Sequence, residues 1–260
     1  MLGYLGAILV GITLGLIGGG GSIITVPLLV YVMGLNPVVA TAYSLFVVGV
    51  SSLVGAIKNI QKKQVDFKAA IAFAVPAFIS VFLTRKFIVP AIPEIIFSVG
   101  SFTVTKHIFI MVFFAVIMIL ASVSMIKNFQ FETGEKDREF NPPIIILQAI
   151  VLGLVTGIVG AGGGFLIVPA LVLLVHIPMK RAVATSLLII AVNSLIGFLG
   201  DLGEMTIDWT FLLTFTACSI GGIFLGIYLN KFIDGKKLKK SFGWFVLLMG
   251  AYIVAKELFL

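Results

Sequence analysis

A chain of 260 residues that is 60% hydrophobic and only 11% charged is not a soluble globular domain, in which about 25% of residues carry charge. Apolar runs of the length that crosses a bilayer recur from Leu2 to the C-terminus, so the chain is an all-α polytopic membrane protein. The net charge of +7 does not call for nucleic acid, because Lys and Arg fall in loops between apolar segments, and a single cysteine, Cys218, excludes an internal disulfide.

Taken in chain order, Leu2–Ile17 is the first apolar segment. It has no basic leader and no small-residue cleavage site, so it reads as a retained helix and not as a signal peptide. Four glycines, Gly18–Gly21, separate it from Ser22–Met33; Val38–Ile57, Phe67–Thr84 and His107–Lys127 follow. Asn128–Asn141 mixes charge with Gly and Pro and reads as a cytoplasmic linker. The second set is Ile144–Val159, Gly164–Val175, Ala182–Leu199, Trp209–Asn230 and Ser241–Lys256. The expected organisation is therefore a first transmembrane repeat (1–127), a linker (128–141) and a second repeat (142–260).

The two sets are copies of one another. Gly11–Ala56 lies over Gly153–Phe198 without a gap, with 17 of 46 positions identical. Among these are Gly18/Gly160, Gly20/Gly162, Gly21/Gly163, Pro27/Pro169, Ser44/Ser186 and Ser52/Ser194, and Val65–Phe67 then faces Ile207–Trp209 in the same register. A duplicated membrane segment with a glycine interruption inside each copy is the pattern of a transporter built from two repeats. The segments flanking the first interruption would span roughly 24 Å and 18 Å as helices, each short of a hydrocarbon core of about 30 Å. A broken or re-entrant pair is expected there.

Charge sets the expected orientation. With five passes per half and the N-terminus outside, 14 of the 18 basic residues are cytoplasmic; four passes per half place at most 10 there. The positive-inside rule favours the first arrangement, and with it inverted repeats. It leaves Arg85, Lys86, Lys106 and Lys256 outside. Equivalent loops also differ in sign: Lys58–Lys68 carries four lysines, while Gly200–Asp208 carries Asp201, Glu204 and Asp208 and no base.

Unwound backbone survives in a membrane only where protein or a water-lined cavity covers it. Helices restart after the interruptions, at Ser22 and Gly164. Their first N–H groups have no intrahelical acceptor, and the helix dipole adds partial positive charge. Gly18, Gly19, Gly20, Gly21 and Ser22 in one half, and Gly160, Gly162, Gly163 and Gly164 in the other, would thus form an anion site without a lysine or arginine if the two starts met. Ser44 and Ser51, and Ser186 and Asn193, are i, i+7 pairs on the third segments, able to donate to oxyanion oxygens. Hydroxyls also bond their own helix carbonyls, so Asn193 is the strongest of the four. Gly11/Gly15 and Gly153/Gly157 read as small-residue packing pairs. No acidic residue lies near the middle of a span, and His107 and His176 sit at segment ends, which leaves a buried proton relay without support. No metal-ligand, cofactor, nucleophile or acid–base constellation is present.

The doubled G-x-x-G-G-G-G-S-x-x-x-V-P, followed by N-P-x-x-A-x-x-x-S, resembles the sulfite exporter TauE/SafE family, also called the 4-toluenesulfonate uptake permease family. The resemblance covers nearly the whole chain. It implies an inner-membrane transporter of sulfur oxyanions such as sulfite or organosulfonates. It maps Gly18–Ser22, Pro27, Asn36, Pro37 and Ser44 onto the first motif, and Gly160, Gly162–Gly164, Pro169 and Ser186 onto the second. The second copy has Ile177-Pro178 in place of the first motif's N-P, so a capping role for Asn36 belongs to one half. The expected function is export of a small sulfur oxyanion, with a non-transporting membrane partner of a sulfur-metabolism system, or an anion channel, as the alternatives. The residues leave the oligomeric state open, a homodimer included.

Overall fold

Each half begins with an apolar helix that stops at glycine. In the computed structural model, which describes residues 2–19, 21–99, 102–126, 142–160, 163–173, 177–203, 205–230, 232 and 235–259, α1 (Leu2–Ile17) ends at Gly18. Gly18 has φ +82° and donates its N–H to the Leu14 carbonyl at 2.8 Å, a left-handed cap that suits glycine because it has no Cβ. Then α2 (Gly21–Pro27) and a π-helical turn (Leu28–Val32) run back along α1. Gly3 faces Met33, Gly6 faces Leu28, and Gly21 faces Val10, Thr13 and Leu14. The pair is therefore a helical hairpin with glycine at its tip, which decides the broken-or-re-entrant question for the first half. In the second half α7 (Pro142–Val159) stops at Gly160, with φ +69° and a 2.8 Å bond from its N–H to the Thr156 carbonyl, and α8 (Gly164–Leu173) follows.

The third helices are long and buried. Asn36 caps α3 (Pro37–Gln61) by accepting from the Val38 N–H at 2.9 Å, whereas α9 (Met179–Asp201) starts at Pro178 without a side-chain cap. The departure seen in the second motif is thus real in the backbone. Replacing Asn36 with Ala is expected to cost about 1 kcal/mol, read as a lower melting temperature in detergent.

Equivalent aspartates cap the fourth helices. Asp66 serves α4 (Phe67–Leu83), and Asp208, its counterpart in the repeat register, serves α10 (Trp209–Leu229). Helix α4 does not end at Thr84 as hydropathy suggests; it passes through a π-helical turn (Thr84–Ile88) into α5 (Val89–Ala91). A hairpin of β1 (Ile95–Val99) and β2 (Phe102–Thr105) precedes α6 (Lys106–Ile126). Its β-branched and aromatic content is strand-forming, but it is too short to register as a span. The last helix is α11 (Gly235–Phe259), and the linker Asn128–Asn141 lies outside the described residues.

The halves interlock. Helix α1 packs on α10 of the other half, and α7 packs on α4. Gly11 and Gly15 back onto the carbonyls of Ser219 and Ile223; Gly153 and Gly157 back onto those of Ala77 and Val81, so that both members of each contact have exchanged halves. A Cβ at any of these would press on backbone, so the small-residue pairs are packing seams. The third helices pack on each other. Gly55 faces Leu187, Gly49 faces Leu195, and Leu45 faces Gly197, so α3 and α9 run antiparallel. Five helices among the described residues are long and apolar enough to cross a membrane, and outward side chains such as Leu120, Leu147 and Leu248 are more than 60% exposed. An apolar outer face is what lipid requires.

Candidate functional site

The two glycine breaks touch. A Cβ added to Gly19 would overlap the Gly164 backbone, and one added to Gly164 would lie 2.5 Å from the Gly19 Cα. Glycine is the residue that permits such an approach. Each tip also rests on the third helix of the opposite half. Gly18 lies against Val183 and Ser186 of α9, and Gly160 lies against Thr41 of α3; Thr41 and Val183 are equivalent repeat positions. Of the sequence-predicted glycines the structure brings Gly19 and Gly164 together, while Gly18 and Gly160 pack on the opposite third helices and Gly21 and Gly163 pack on α1 and α7 of their own halves. Gly20, Gly162 and the side chain of Ser22 lie outside what is described, as does His176.

The polar side chains divide into two groups. Ser51 Oγ donates to Ser219 Oγ at 2.9 Å, and Ser186 Oγ donates to the Val183 carbonyl at 2.9 Å, so both make internal bonds. Ser44 Oγ, Ser52 Oγ, Ser194 Oγ and Asn193 Oδ1 are buried and have no hydrogen-bond partner among the described residues. Burying an unpaired polar group costs roughly 1–3 kcal/mol. All four lie on the third helices, and Ser52 and Ser194 hold equivalent repeat positions. His107 lies 2.9 Å from Asn36 through Nε2 and Nδ2, which fits an end-of-helix partner. Among the described residues no three His, Cys, Asp or Glu side chains come together to hold a metal ion.

One expectation is corrected. The charge count places Arg85 in an outer loop. Arg85 is instead fully buried. Its Nε and Nη2 donate to Asp201 Oδ2 at 2.8 and 2.5 Å, and its Nη1 donates to Thr41 Oγ1 at 3.1 Å and the Gly157 carbonyl at 3.3 Å. A guanidinium tolerates burial when its donors are matched in this way. Because Thr41 abuts Gly160, Arg85 stands beside the second tip. A signal existed in the repeat register: the counterpart of Arg85 is Ile227, still within the apolar segment Trp209–Asn230 though near its end. A second cross-half ion pair, Arg181 to Asp66 at 3.3 Å, joins the opposite ends of α9 and α4 and is partly exposed.

A family model described as sulfite exporter TauE/SafE matches residues 4–253. Among curated relatives, a "Probable membrane transporter protein" of Xylella fastidiosa is 29% identical over 95% of this chain and 91% of its own length. "Probable membrane transporter protein YunE" of Bacillus subtilis is 27% identical over 94% of this chain and 93% of its own. No solved structure matches the chain.

Proposed function

The chain belongs to the sulfite exporter TauE/SafE family, and from that membership we propose that it carries a small sulfur oxyanion, sulfite or an organosulfonate, out of the cytoplasm across the inner membrane. That it is a multi-pass membrane transporter and not an enzyme follows from the family and from relatives named as membrane transporters. The observation that carries the finer reading is the contact of Gly19 with Gly164. It supports a site in which main-chain N–H groups at the tips, and the start of α8 above all, receive a small oxyanion. Such a site suits a substrate with oxygen acceptors on every side, and it needs no coupling ion to release its guest outward. With the cell interior negative, each negative charge leaving gains about 2.3 kcal/mol per 100 mV.

The orientation we propose is that of inverted repeats, N-terminus outside. The antiparallel course of equivalent helices α3 and α9 supports it, as does the placement of loops at the two ends of α4. The lysine-rich turn precedes Asp66 at one end, and Asp201 meets Arg85 near the other. From Phe67 to Ala91 the 25 residues span roughly 37 Å, about the thickness of a bilayer. Single cysteines at Gln61 and Gly203 in a Cys218→Ser background are expected to label from opposite sides of sealed vesicles; labelling from one side overturns the inverted arrangement.

The transport reading is tested in proteoliposomes. Sulfite flux is expected to saturate, and sulfite or sulfonates are expected to raise the melting temperature where carboxylates do not. Flux that rises linearly with concentration makes the protein a channel. Absence of both flux and stabilisation across sulfite, sulfate, thiosulfate and sulfonates makes it a non-transporting partner.

A further inference from the structure

The repeat contains its own control for the Arg85–Asp201 pair. The positions equivalent to Arg85, Asp201 and Thr41 are Ile227, Asn59 and Val183. There the same kind of seam, between α3 and α10, is closed without charge: Asn59 donates to the Gly55 carbonyl of its own helix, and Ile227 is buried. The fold can therefore close this junction with neutral groups, as is common when hydrophobic residues replace a buried ion pair. The charged version is present on one side only, and it is the side at which Gly160 meets Thr41.

Resting on the transport reading above, we infer that Arg85 is the exit-side ligand of the anion, and that Asp201 is a resident counter-ion which the anion displaces. A guanidinium is a planar fork that matches the oxygens of a carboxylate or another oxyanion two at a time. Here two prongs are held by the Asp201 carboxylate and the third by Thr41 and Gly157. Asp201 therefore occupies the face of Arg85 that an oxyanion would take. It is the last residue of α9, 5% exposed, and the next residues, Leu202 and Gly203, are exposed. A short swing of its side chain reaches solvent and vacates the fork. An anion leaving the glycine tips passes Thr41 to reach Arg85, and the return of Asp201 expels it.

Competition of this kind makes a prediction that a structural salt bridge does not. Asp201→Asn removes the competing charge and keeps the shape. It is expected to bind sulfite about tenfold tighter and to release it more slowly, so that KM and kcat for flux fall together. The neutral pair Arg85→Gln/Asp201→Asn buries no unmatched charge and is expected to melt near the parent, yet to bind sulfite about ten- to a hundredfold more weakly, the worth of hydrogen bonds to one charged group. Arg85→Lys keeps the charge without the fork and is expected to fall between. Titration of sulfite into each purified protein, with flux in proteoliposomes alongside, reads all of these. A neutral pair with the parent's affinity, or an Asp201→Asn protein with unchanged KM and kcat, overturns the assignment and leaves the transport reading standing. A folded parent that binds and carries no sulfur oxyanion overturns both.

Discussion

Valine at Gly19 or at Gly164 is expected to remove anion binding and flux while the protein still inserts and folds. The added Cβ at either position falls on the backbone of the other tip, so the two glycine breaks are driven apart at the site proposed for the oxyanion. A β-branched side chain adds bulk that rotation about χ1 cannot clear. Loss of two charge-assisted hydrogen bonds from main-chain N–H groups corresponds to about a hundredfold or more in affinity. Overpacking costs about 1–3 kcal/mol in stability, so both variants are expected to melt lower than the parent but cooperatively. Gly221→Val is the control. That glycine lies on an exposed face of α10 with nothing within 4 Å of an added Cβ, and its flux is expected to match the parent. Binding by the Gly19 and Gly164 variants at the parent's affinity would return these glycines to a packing role.

Arg85→Met is expected to cost about 3–5 kcal/mol of stability, because it removes the buried cation that compensates the Asp201 carboxylate. Arg85→Met/Asp201→Leu is expected to regain most of that loss, since hydrophobic groups of similar volume replace a buried pair at little net cost. The measurement is a double-mutant cycle of unfolding by SDS titration, in which the single and double variants give the coupling directly. A single variant as stable as the parent would mean that Asp201 is solvated in the folded state. A double variant as unstable as the single would mean that the charges hold the seam closed.

Much of the architecture is legible in the residues because duplication makes one half a commentary on the other. Glycine at 18 and again at 160 marks a left-handed cap in both halves, and small residues at 11, 15, 153 and 157 mark the interlocking seams. What the residues do not carry is which tip meets which. The contact of Gly19 with Gly164 joins positions far apart in the chain through backbone atoms that every residue shares, and no side-chain pattern encodes it. Arg85 escapes for a different reason. Hydropathy ends a span at the first charge, so Arg85 reads as the start of a loop, although its partner Asp201 and its acceptors Thr41 and Gly157 make it part of the interior. The hairpin of β1 and β2 is missed because strands of five and four residues are invisible to a search for spans. Ser51 and Ser186 look like anion donors by type and spacing, yet their hydroxyls bond to Ser219 and to the Val183 carbonyl. Only the geometry separates them from Ser44 and Asn193, whose Oγ and Oδ1 find no partner among the described residues.

Selenite is the heavier isologue of sulfite, with the same pyramidal set of oxygens and an atom that scatters anomalously. The most direct measurement is the anomalous difference map of the protein crystallised with selenite. A selenium peak is expected between the two glycine breaks, with oxygens about 3 Å from main-chain nitrogens at the Gly19 and Gly164 junction, weakened in proportion as sulfite is added. A peak elsewhere on the molecule, or none at selenite concentrations that saturate flux, would contradict the claim that the glycine tips hold the anion.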